Sequence, residues 1–465
     1  MGRFTLVFFA MATVLGTFWA NEAQATPFYA ISAGHACNTC HVEPIGWANP
    51  EQVAARRCTM DCQGCHVSPT GGGLRTPLGT YYAREELAMW GQRPSDSADP
   101  MRFADPNAPT EGRYRLFGGF EGWWPGEVQH RTIEDRYGNI DPAPTWQIGG
   151  DYRALVIQPT DDSNRDTVGF PMAVQTYLAV HPTPNLTAYL DLGFQGSTDR
   201  SIDNLAGDND VSFFQDILWV RELFVMAHDL PNSLYVRGGR FALPYGWRLP
   251  DHTAYTRKGL FDQYRQGYGV EVGIAPNEWW GNLAVTYQGV DAWPGETTLQ
   301  QGGGVTAQGG WRGLGYSLGS SVQVFGGRDD YREFMIGPMW GVNLHPFAYL
   351  GEMDWRRTEN EPMGGMNPDE MDLPGTEKAT GGRTSLYALH EVQFIGIRGL
   401  TPKARYEWLD ANTRFRDDHI HRFQLGLEWN ILAQLQLDTS WRRAFTPGSS
   451  APGPSELLLQ IHGHF

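Results

Sequence analysis

The chain has 465 residues, a formal net charge of −16, and a 13% share of Phe, Trp and Tyr. This acidity argues against a nucleic-acid partner, because phosphate binding needs clustered Lys and Arg. No apolar run after the N-terminus reaches the length of a transmembrane helix, so the composition leaves two classes open: a secreted β protein or an outer-membrane barrel.

The first 25 residues have the features of a secretory signal peptide. Arg3 provides a short positive region, residues 4–19 form an apolar stretch, and Ala23 and Ala25 mark a small-residue cleavage site. We therefore expect export past the inner membrane and a mature chain that starts near Thr26. The alternative is an uncleaved membrane anchor, for which the run is short.

Residues 26–90 contain two C-x-x-C-H motifs, which predict a dihaem c-type cytochrome module carrying two haem c groups. At this spacing two thiols reach both vinyl groups of a haem, and the following His turns back to the iron. The tail C-H-V-x-P-x-G occurs in both motifs, which indicates a duplication. Structural zinc is the alternative, because Cys and His are also zinc ligands. The motif residues are Cys37, Cys40 and His41, then Cys62, Cys65 and His66.

The motifs assign His41 and His66 as the proximal iron ligands. For the distal positions we consider cross-ligation, with His35 on the second iron and Met60 on the first, since neither residue is well placed to cross its own haem. A surface or propionate-binding role for His35 and simple packing for Met60 are the alternatives. Cys58 is left over and is interpreted as an idle or partner-bonded thiol.

Glycines at 71–73 and an arginine at position 75 follow the second motif. Glycines let the backbone approach a haem edge, and Arg75 is suited to pairing with a propionate. An ordinary flexible turn is the competing interpretation.

Residues 91–145 are rich in Pro and Asp and predict an irregular connector. Over 146–465 the pattern changes to segments that alternate apolar and polar side chains, which is typical of membrane β-strands. We predict sixteen antiparallel strands closing into a transmembrane β-barrel, with polar side chains in the lumen and apolar ones facing lipid. A soluble β-sandwich or propeller is the alternative. The predicted strands start near 146, 169, 185, 214, 233, 268, 279, 303, 314, 331, 345, 384, 400, 418, 433 and 455.

The connections alternate between short turns and mostly longer polar loops, which is the asymmetry of outer-membrane barrels. An even strand count puts both chain ends, and with them the haem module, on the periplasmic side or in the lumen. Loops 197–213 and 357–383 carry many carboxylates, which suit Fe²⁺ or Mn²⁺, although a solvated surface is the simpler interpretation. The distinctive stretch 244–253 is a candidate for an inward constriction.

A C-x-x-C-H module that leads directly into a porin-like barrel resembles the outer-membrane cytochrome–porin fusions. The sequence-specific part of the resemblance is residues 26–41, where iron-oxidising members have a similar stretch before one haem motif. The resemblance implies that Cys37 and Cys40 hold haem and that His41 is axial. The second motif departs from that group, and the chain is also similar to conduits in which a barrel encloses a multihaem partner.

The leading functional hypothesis is electron transfer across the outer membrane. Its expected partners are periplasmic c-type cytochromes, an external donor or acceptor such as Fe(II), and outer-membrane lipid. One alternative is a passive porin with a haem appendage that docks or senses. Another is an enzyme, either an extracellular Fe(II) oxidase or a haem peroxidase. No catalytic triad, phosphate loop or catalytic carboxylate pair is recognisable, so no catalytic residue is assigned.

Overall fold

A computed structural model gives the fold. It describes residues 66–76, 79, 90, 144–161, 166–194, 218–249, 251, 253–258, 260, 266–274, 279–288, 301–313, 315–328, 330–344, 346–360, 382–395, 397, 399–415, 419–432, 435–447 and 453–464. The predicted signal peptide, first haem motif and connector lie outside these residues. No helix among the described residues is long and apolar enough to cross a membrane.

Sixteen β-strands form the body of the protein, and their number agrees with the sequence prediction. The largest difference is at β4, predicted from 214 and beginning at Leu218. The strands are β1 (Trp146–Pro159), β2 (Val168–Thr183), β3 (Leu186–Phe194), β4 (Leu218–Leu230), β5 (Leu234–Ala242), β6 (Gln266–Ile274), β7 (Trp279–Gln288), β8 (Gly302–Gly313), β9 (Tyr316–Gly327), β10 (Arg332–Leu344), β11 (Phe347–Glu359), β12 (Arg383–Phe394), β13 (Leu400–Asp410), β14 (His419–Leu432), β15 (Leu435–Phe445) and β16 (Ser455–His464). A single helical turn, α1 (Tyr255–Lys258), lies between β5 and β6.

Every strand pairs antiparallel with its neighbours in the chain, and β1 pairs with β16 to close the barrel. Closure leaves no free strand edge, which is the condition for backbone to cross a bilayer in β form. Short turns at one end, such as 184–185, 314–315 and 345–346, alternate with the long connections 195–217, 243–265 and 360–382 at the other. The chain enters β1 and leaves β16 at the short-turn end.

Side chains alternate between the lumen and the outer surface, as the period-2 pattern predicted. In β14, Phe423 and Leu425 are exposed on the outside, whereas Arg422 and Gln424 are buried inside. The same alternation holds across the wall, where exposed Val and Leu residues cover the exterior. An apolar exterior around a polar interior is stable only where lipid replaces water outside.

Large aromatic side chains are exposed on the outer surface near the short-turn end. Examples are Trp146, Trp279, Trp311 and Tyr316. Such residues form girdles at the membrane–water interface, where the ring contacts lipid and its polar atom contacts water. With closure and the apolar exterior, they define the fold as a porin-like outer-membrane β-barrel.

Candidate functional site

Of the residues predicted to bind haem, the structure describes His66. The other motif residues and the proposed distal ligands lie outside the described residues, and so does the spare thiol. These are Cys37, Cys40, His41, Cys62 and Cys65, together with His35, Met60 and Cys58.

Residues 66–76 fold into a small hairpin, which we call the lumen hairpin. His66 and Arg75 form an antiparallel bridge, and the Val67 amide donates to the Leu74 carbonyl at 3.0 Å. The glycines at 71–73 all have φ between 65° and 79°, a conformation that side-chain-bearing residues rarely adopt. The glycine run that follows the second motif therefore forms a turn in which all three residues adopt left-handed backbone conformations.

The lumen hairpin lies inside the barrel. Val67 and Leu74 belong to a buried cluster with Tyr177, Tyr189 and Phe224, the inward-facing residues of β2, β3 and β4. The Leu74 amide donates a hydrogen bond to the Tyr189 hydroxyl at 3.3 Å. The segment that directly follows the second C-x-x-C-H motif is thus packed against the inner wall.

The hairpin is oriented along the lumen by contacts at both ends. At its stem, the Gln147 side-chain amide donates to the Arg75 carbonyl at 3.4 Å, near the start of β1. At its tip, Arg248 donates to the Thr70 hydroxyl and the Gly71 carbonyl, each at 2.6 Å. The stem therefore faces the short-turn end of the barrel, and the tip meets a connection from the long-loop end.

Two arginines, one fully buried and one partly buried, connect the hairpin to carboxylates of the wall. Arg237, fully buried on β5, contacts the Ser68 hydroxyl at 3.4 Å and pairs with Glu271 at 2.7 Å. Arg248 lies 3.5 Å from Glu222. These arginines donate hydrogen bonds to the hairpin, and the wall carboxylates Glu271 and Glu222 balance their positive charges. The hairpin tip therefore does not have to supply a carboxylate.

His66 has the properties required of an iron ligand. Its Nδ1 atom is buried and has no hydrogen-bond partner among the described residues. Burial, with the nearby positive charges of Arg75 and Arg248, lowers the pKa of His66 to about 3. The imidazole is therefore neutral at physiological pH, which is the form that donates a lone pair to iron. A neutral imidazole with one unpartnered nitrogen is chemically compatible with iron ligation.

Trp90 gives a second point of attachment at the short-turn end. Its backbone amide donates to the Asn430 carbonyl at 2.9 Å, and its ring packs edge-on against Trp429. Asn430 and Trp429 lie at the end of β14, beside the turn to β15. The hairpin stem and Trp90 therefore both contact the short-turn end of the barrel.

Residues 243–260, which we call the crossing loop, fold into the lumen as the sequence predicted for 244–253. Its first part contacts β11: the Tyr245 hydroxyl donates to Asp354 at 2.9 Å, and the Trp247 amide donates to Glu352 at 3.2 Å. Farther on, Asp251 pairs with Arg405 of β13 at 2.6 Å. The loop thus leaves β5 and reaches the opposite wall.

The far end of the crossing loop is held by arginines. Burial alone would raise the pKa of Asp251, but Arg405, Arg422 and Arg442 outweigh this effect and hold it well below its usual range. Arg442 also donates to the Thr253 hydroxyl at 2.7 Å. The loop carboxylate is therefore charged at physiological pH and fixes the constriction electrostatically.

The lumen wall behind this loop carries a ladder of buried and partly buried ion pairs that were not predicted from the sequence. Each joins strands that are neighbours in the sheet, with N–O distances of 2.6 to 2.8 Å. The pairs are Arg356–Glu333, Arg405–Glu391, Arg422–Glu407 and Arg442–Glu456. The alternation of side chains predicted which charged residues face the lumen, but it did not predict which of them form ion pairs.

A hydrogen-bonded network of histidines lies near the hairpin stem. His181 contacts the Gln147 side chain at 3.1 Å and the Thr187 hydroxyl at 2.8 Å, and Thr187 in turn contacts His228 at 2.8 Å. Within the described ranges, no group of three or more His, Cys, Asp or Glu residues is arranged to hold a metal ion. Through the hydrogen bond from His181, this network positions the Gln147 side chain, which in turn contacts the hairpin stem.

The architecture and its lumen contents define the class of the protein: a porin-like outer-membrane β-barrel whose interior holds a segment of its own N-terminal region. No protein-family model matches the chain, and no curated protein matches it either.

Several solved structures are similar to the chain. OmpT of Vibrio cholerae, in a form lacking loop L8, shares 10% identity over 70% of this chain and 100% of its own, with a TM-score of 0.48. An anion-selective porin from Comamonas acidovorans shares 12% identity over 69% and 99%, also with a TM-score of 0.48. The channel DcaP of Acinetobacter baumannii shares 10% identity over 69% and 97%, with a TM-score of 0.44.

Proposed function

We propose that the protein carries electrons across the outer membrane through haem held at and inside the barrel. The observation that carries this proposal is the position of His66 and the hairpin behind it. A cytochrome module that only docked or sensed would not need to bury its second motif's continuation against the lumen wall. Here Val67 and Leu74 are part of the barrel core.

Haem, when bound, supplies a centre that takes up and releases one electron. Cys62 and Cys65 would hold the second group covalently and His66 would be its proximal ligand, while Cys37, Cys40 and His41 would do the same for the first. The cationic side chains of Arg75 and Arg248 near His66 are suited to haem propionates.

The barrel wall contributes insulation and position. A charge cannot cross the hydrocarbon layer, which is about 25 Å thick at the apolar band of such a barrel, without a polar path. The closed wall separates the lumen from lipid, and the hairpin contacts hold the segment that directly follows the second motif against it. Periplasmic cytochromes at the short-turn end and an external redox partner at the long-loop end are the partners this arrangement requires.

A second candidate is a passive channel for small solutes, and the closed sixteen-stranded barrel with a polar lumen favours it. Barrels of sixteen to eighteen strands leave an aqueous passage. The lumen hairpin and the crossing loop both occupy the interior of this barrel, which narrows any such passage. The two functions therefore differ in what should cross the wall: electrons or solutes.

Reconstitution in liposomes separates the two functions. Liposomes loaded with a reduced dye would receive an impermeant acceptor outside, and dye oxidation would be followed beside the efflux of a small sugar. We expect dye oxidation with the intact protein and none with Cys62→Ala/Cys65→Ala, at similar sugar efflux. Heat-modifiable gel migration would verify that the variant barrel is folded. Sugar efflux without dye oxidation by the intact protein would favour the passive channel.

A further inference from the structure

The outer face of the barrel has a groove of about 700 Å³ across β7 to β11. It lies toward the long-loop end, because Arg332 in its lining is the first residue of β10 and even-numbered strands begin at that end. Its outer surface faces lipid, so this groove is separate from the lumen and from the haem residues.

The apolar part of the groove is a row of side chains set by the sheet register. Val285 pairs with Val305, Val305 with Val324, and Val324 with Phe334. The three valines are exposed on the outer surface. Four strands thus contribute one continuous apolar strip, which fits an aliphatic chain.

The next row of paired residues toward the long loops forms a recess in the outer surface. Tyr287 pairs with Gly303, Gly303 with Gly326, and Gly326 with Arg332. A Cβ built at Gly326 would meet nothing within 4 Å, and one at Gly303 would meet only a backbone oxygen at 3.8 Å. Two adjacent glycines therefore leave an open recess between a tyrosine and an arginine.

Arginines close the groove on the β10–β11 side. Arg332 is exposed, and Arg357 has a side chain that is 51% exposed and pairs with Glu359 at 3.0 Å. Of the two carboxylates that line the groove, Glu333 is buried and paired with Arg356, so Glu359 alone faces the two guanidinium groups. A positive charge therefore remains at the edge of the apolar strip. A charge on the outer surface of a membrane barrel is costly at the bilayer centre and favourable at the headgroup level, where it meets lipid phosphates.

We propose that this groove is a binding site for one phosphorylated glycolipid of the outer leaflet. An acyl chain would lie on the valine strip and in the glycine recess, and its phosphate would accept hydrogen bonds from Arg332 and Arg357. The glycolipid is favoured over an inner-leaflet phospholipid because the arginines lie at the long-loop end of the barrel. In outer-membrane barrels the long loops are extracellular and the short turns are periplasmic, which sets this assignment of ends.

The test is a titration of the delipidated full-length protein with bis-phosphorylated lipid A in detergent, followed by native mass spectrometry. We expect Arg332→Gln/Arg357→Gln to weaken binding about thirtyfold, since each arginine near a lipid headgroup contributes about 1 kcal/mol. Gly326→Trp should also weaken lipid A binding, because a Cβ at this position meets nothing within 4 Å and the indole would occupy the recess. Arg443→Gln is the matched control, since Arg443 is an exposed arginine near the long-loop end of β15, across the barrel.

Phosphatidylglycerol provides the second arm. We expect it to bind the intact protein more weakly than lipid A and to respond less to the arginine substitutions. Equal binding of the two lipids would overturn the assignment to the outer leaflet. Equal lipid A binding by the intact protein, the double variant and Gly326→Trp would overturn the site itself.

Discussion

On the β2–β5 side of the lumen, the hairpin is held by aromatic side chains and by two arginines, whereas on the β10–β16 side the crossing loop is held mainly by ion pairs. Three aromatic residues of β2 to β4 surround Val67 and Leu74 on the first side, and Arg237 and Arg248 contact the same hairpin. On the second side the loop contacts a ladder of arginines and carboxylates. The segment that continues from the second haem motif thus combines aromatic packing with arginine contacts.

This difference bears on the proposed redox chemistry. Burial and nearby charges are among the factors by which a protein sets the potential of a haem. A rigid ladder of paired charges, in contrast, is suited to fixing a loop in place, because breaking a buried pair leaves an uncompensated charge. The two sides of the lumen therefore hold two different segments by different means: the hairpin that follows the second motif, and the crossing loop.

Substitution of His66 should have the largest effect on function. His66→Ala removes the proposed proximal ligand, so we expect the low-spin absorption bands of one haem to be lost and the liposome electron flux to fall to background. The barrel should still form, because His66 lies outside its strands. His421→Ala, at a partly buried position on the outer face of β14, is the control and should change neither quantity. An unchanged spectrum and flux for His66→Ala would contradict the assignment.

Breaking the ladder should have the largest effect on stability. Arg405 contacts Asp251 of the crossing loop and Glu391 of β12, both at 2.6 Å. Arg405→Ala leaves Glu391 buried without its partner, which should cost about 3–5 kcal/mol in the free energy of unfolding. Urea unfolding in vesicles measures this cost, and sugar efflux should rise as the crossing loop loses its anchor. Arg443→Ala, an exposed arginine, should change the unfolding free energy by less than about 0.5 kcal/mol.

The third prediction concerns the hairpin turn, which lies on the aromatic side of the lumen. Gly73 has a φ of 65°, and a Cβ there would lie 2.4 Å from the Tyr189 hydroxyl. Gly73→Ala should therefore displace the hairpin at a cost of about 1–3 kcal/mol. Limited proteolysis of the segment around 66–76 would report this, and Gly326→Ala, with open space around its Cβ, should be neutral. Resistance equal to that of the intact protein would show that the turn is not strained by a side chain.

Sequence reasoning predicted the barrel because its signals are local. The alternation in β14 and the spacing of turns each lie within a few residues, and the side of the sheet on which Phe423 or Arg422 lies follows directly. The stretch 244–253 was distinctive for a loop and was a candidate for an inward constriction, and the structure places its described residues in the lumen. The second motif assigns His66 as an iron ligand from chemistry alone, and this assignment stays a prediction.

The individual contacts inside the lumen were not predictable, because they join residues that are distant in the sequence. The ion pair Arg405–Glu391 joins residues that face each other across β12 and β13, and its partners follow only once the strand register is known. The position of Leu74 beside Tyr189 joins residues on separate parts of the chain. No local pattern in either segment specifies the other, so the hairpin's place in the lumen needed the fold.

The smallest predicted effect tests whether a single hydrogen bond helps to hold the hairpin on the aromatic side. The Leu74 amide donates to the Tyr189 hydroxyl at 3.3 Å, and both groups are buried. Tyr189→Phe keeps the ring against Phe224, which lies 5.0 Å away between centroids, and removes only the acceptor. We expect a loss of about 0.5–1.5 kcal/mol, the usual net contribution of one hydrogen bond.

Amide hydrogen exchange at Leu74 is the direct measurement for this substitution. Protection of Leu74 should fall in Tyr189→Phe, while protection of the Val67 amide, which bonds within the hairpin, should fall by less. Equal losses at both amides would mean that the whole hairpin has left the wall, and that the tyrosine acts through packing of the entire segment. Unequal losses would show that the aromatic side holds the hairpin by many weak contacts, so that no single one is essential, in contrast to the ladder opposite.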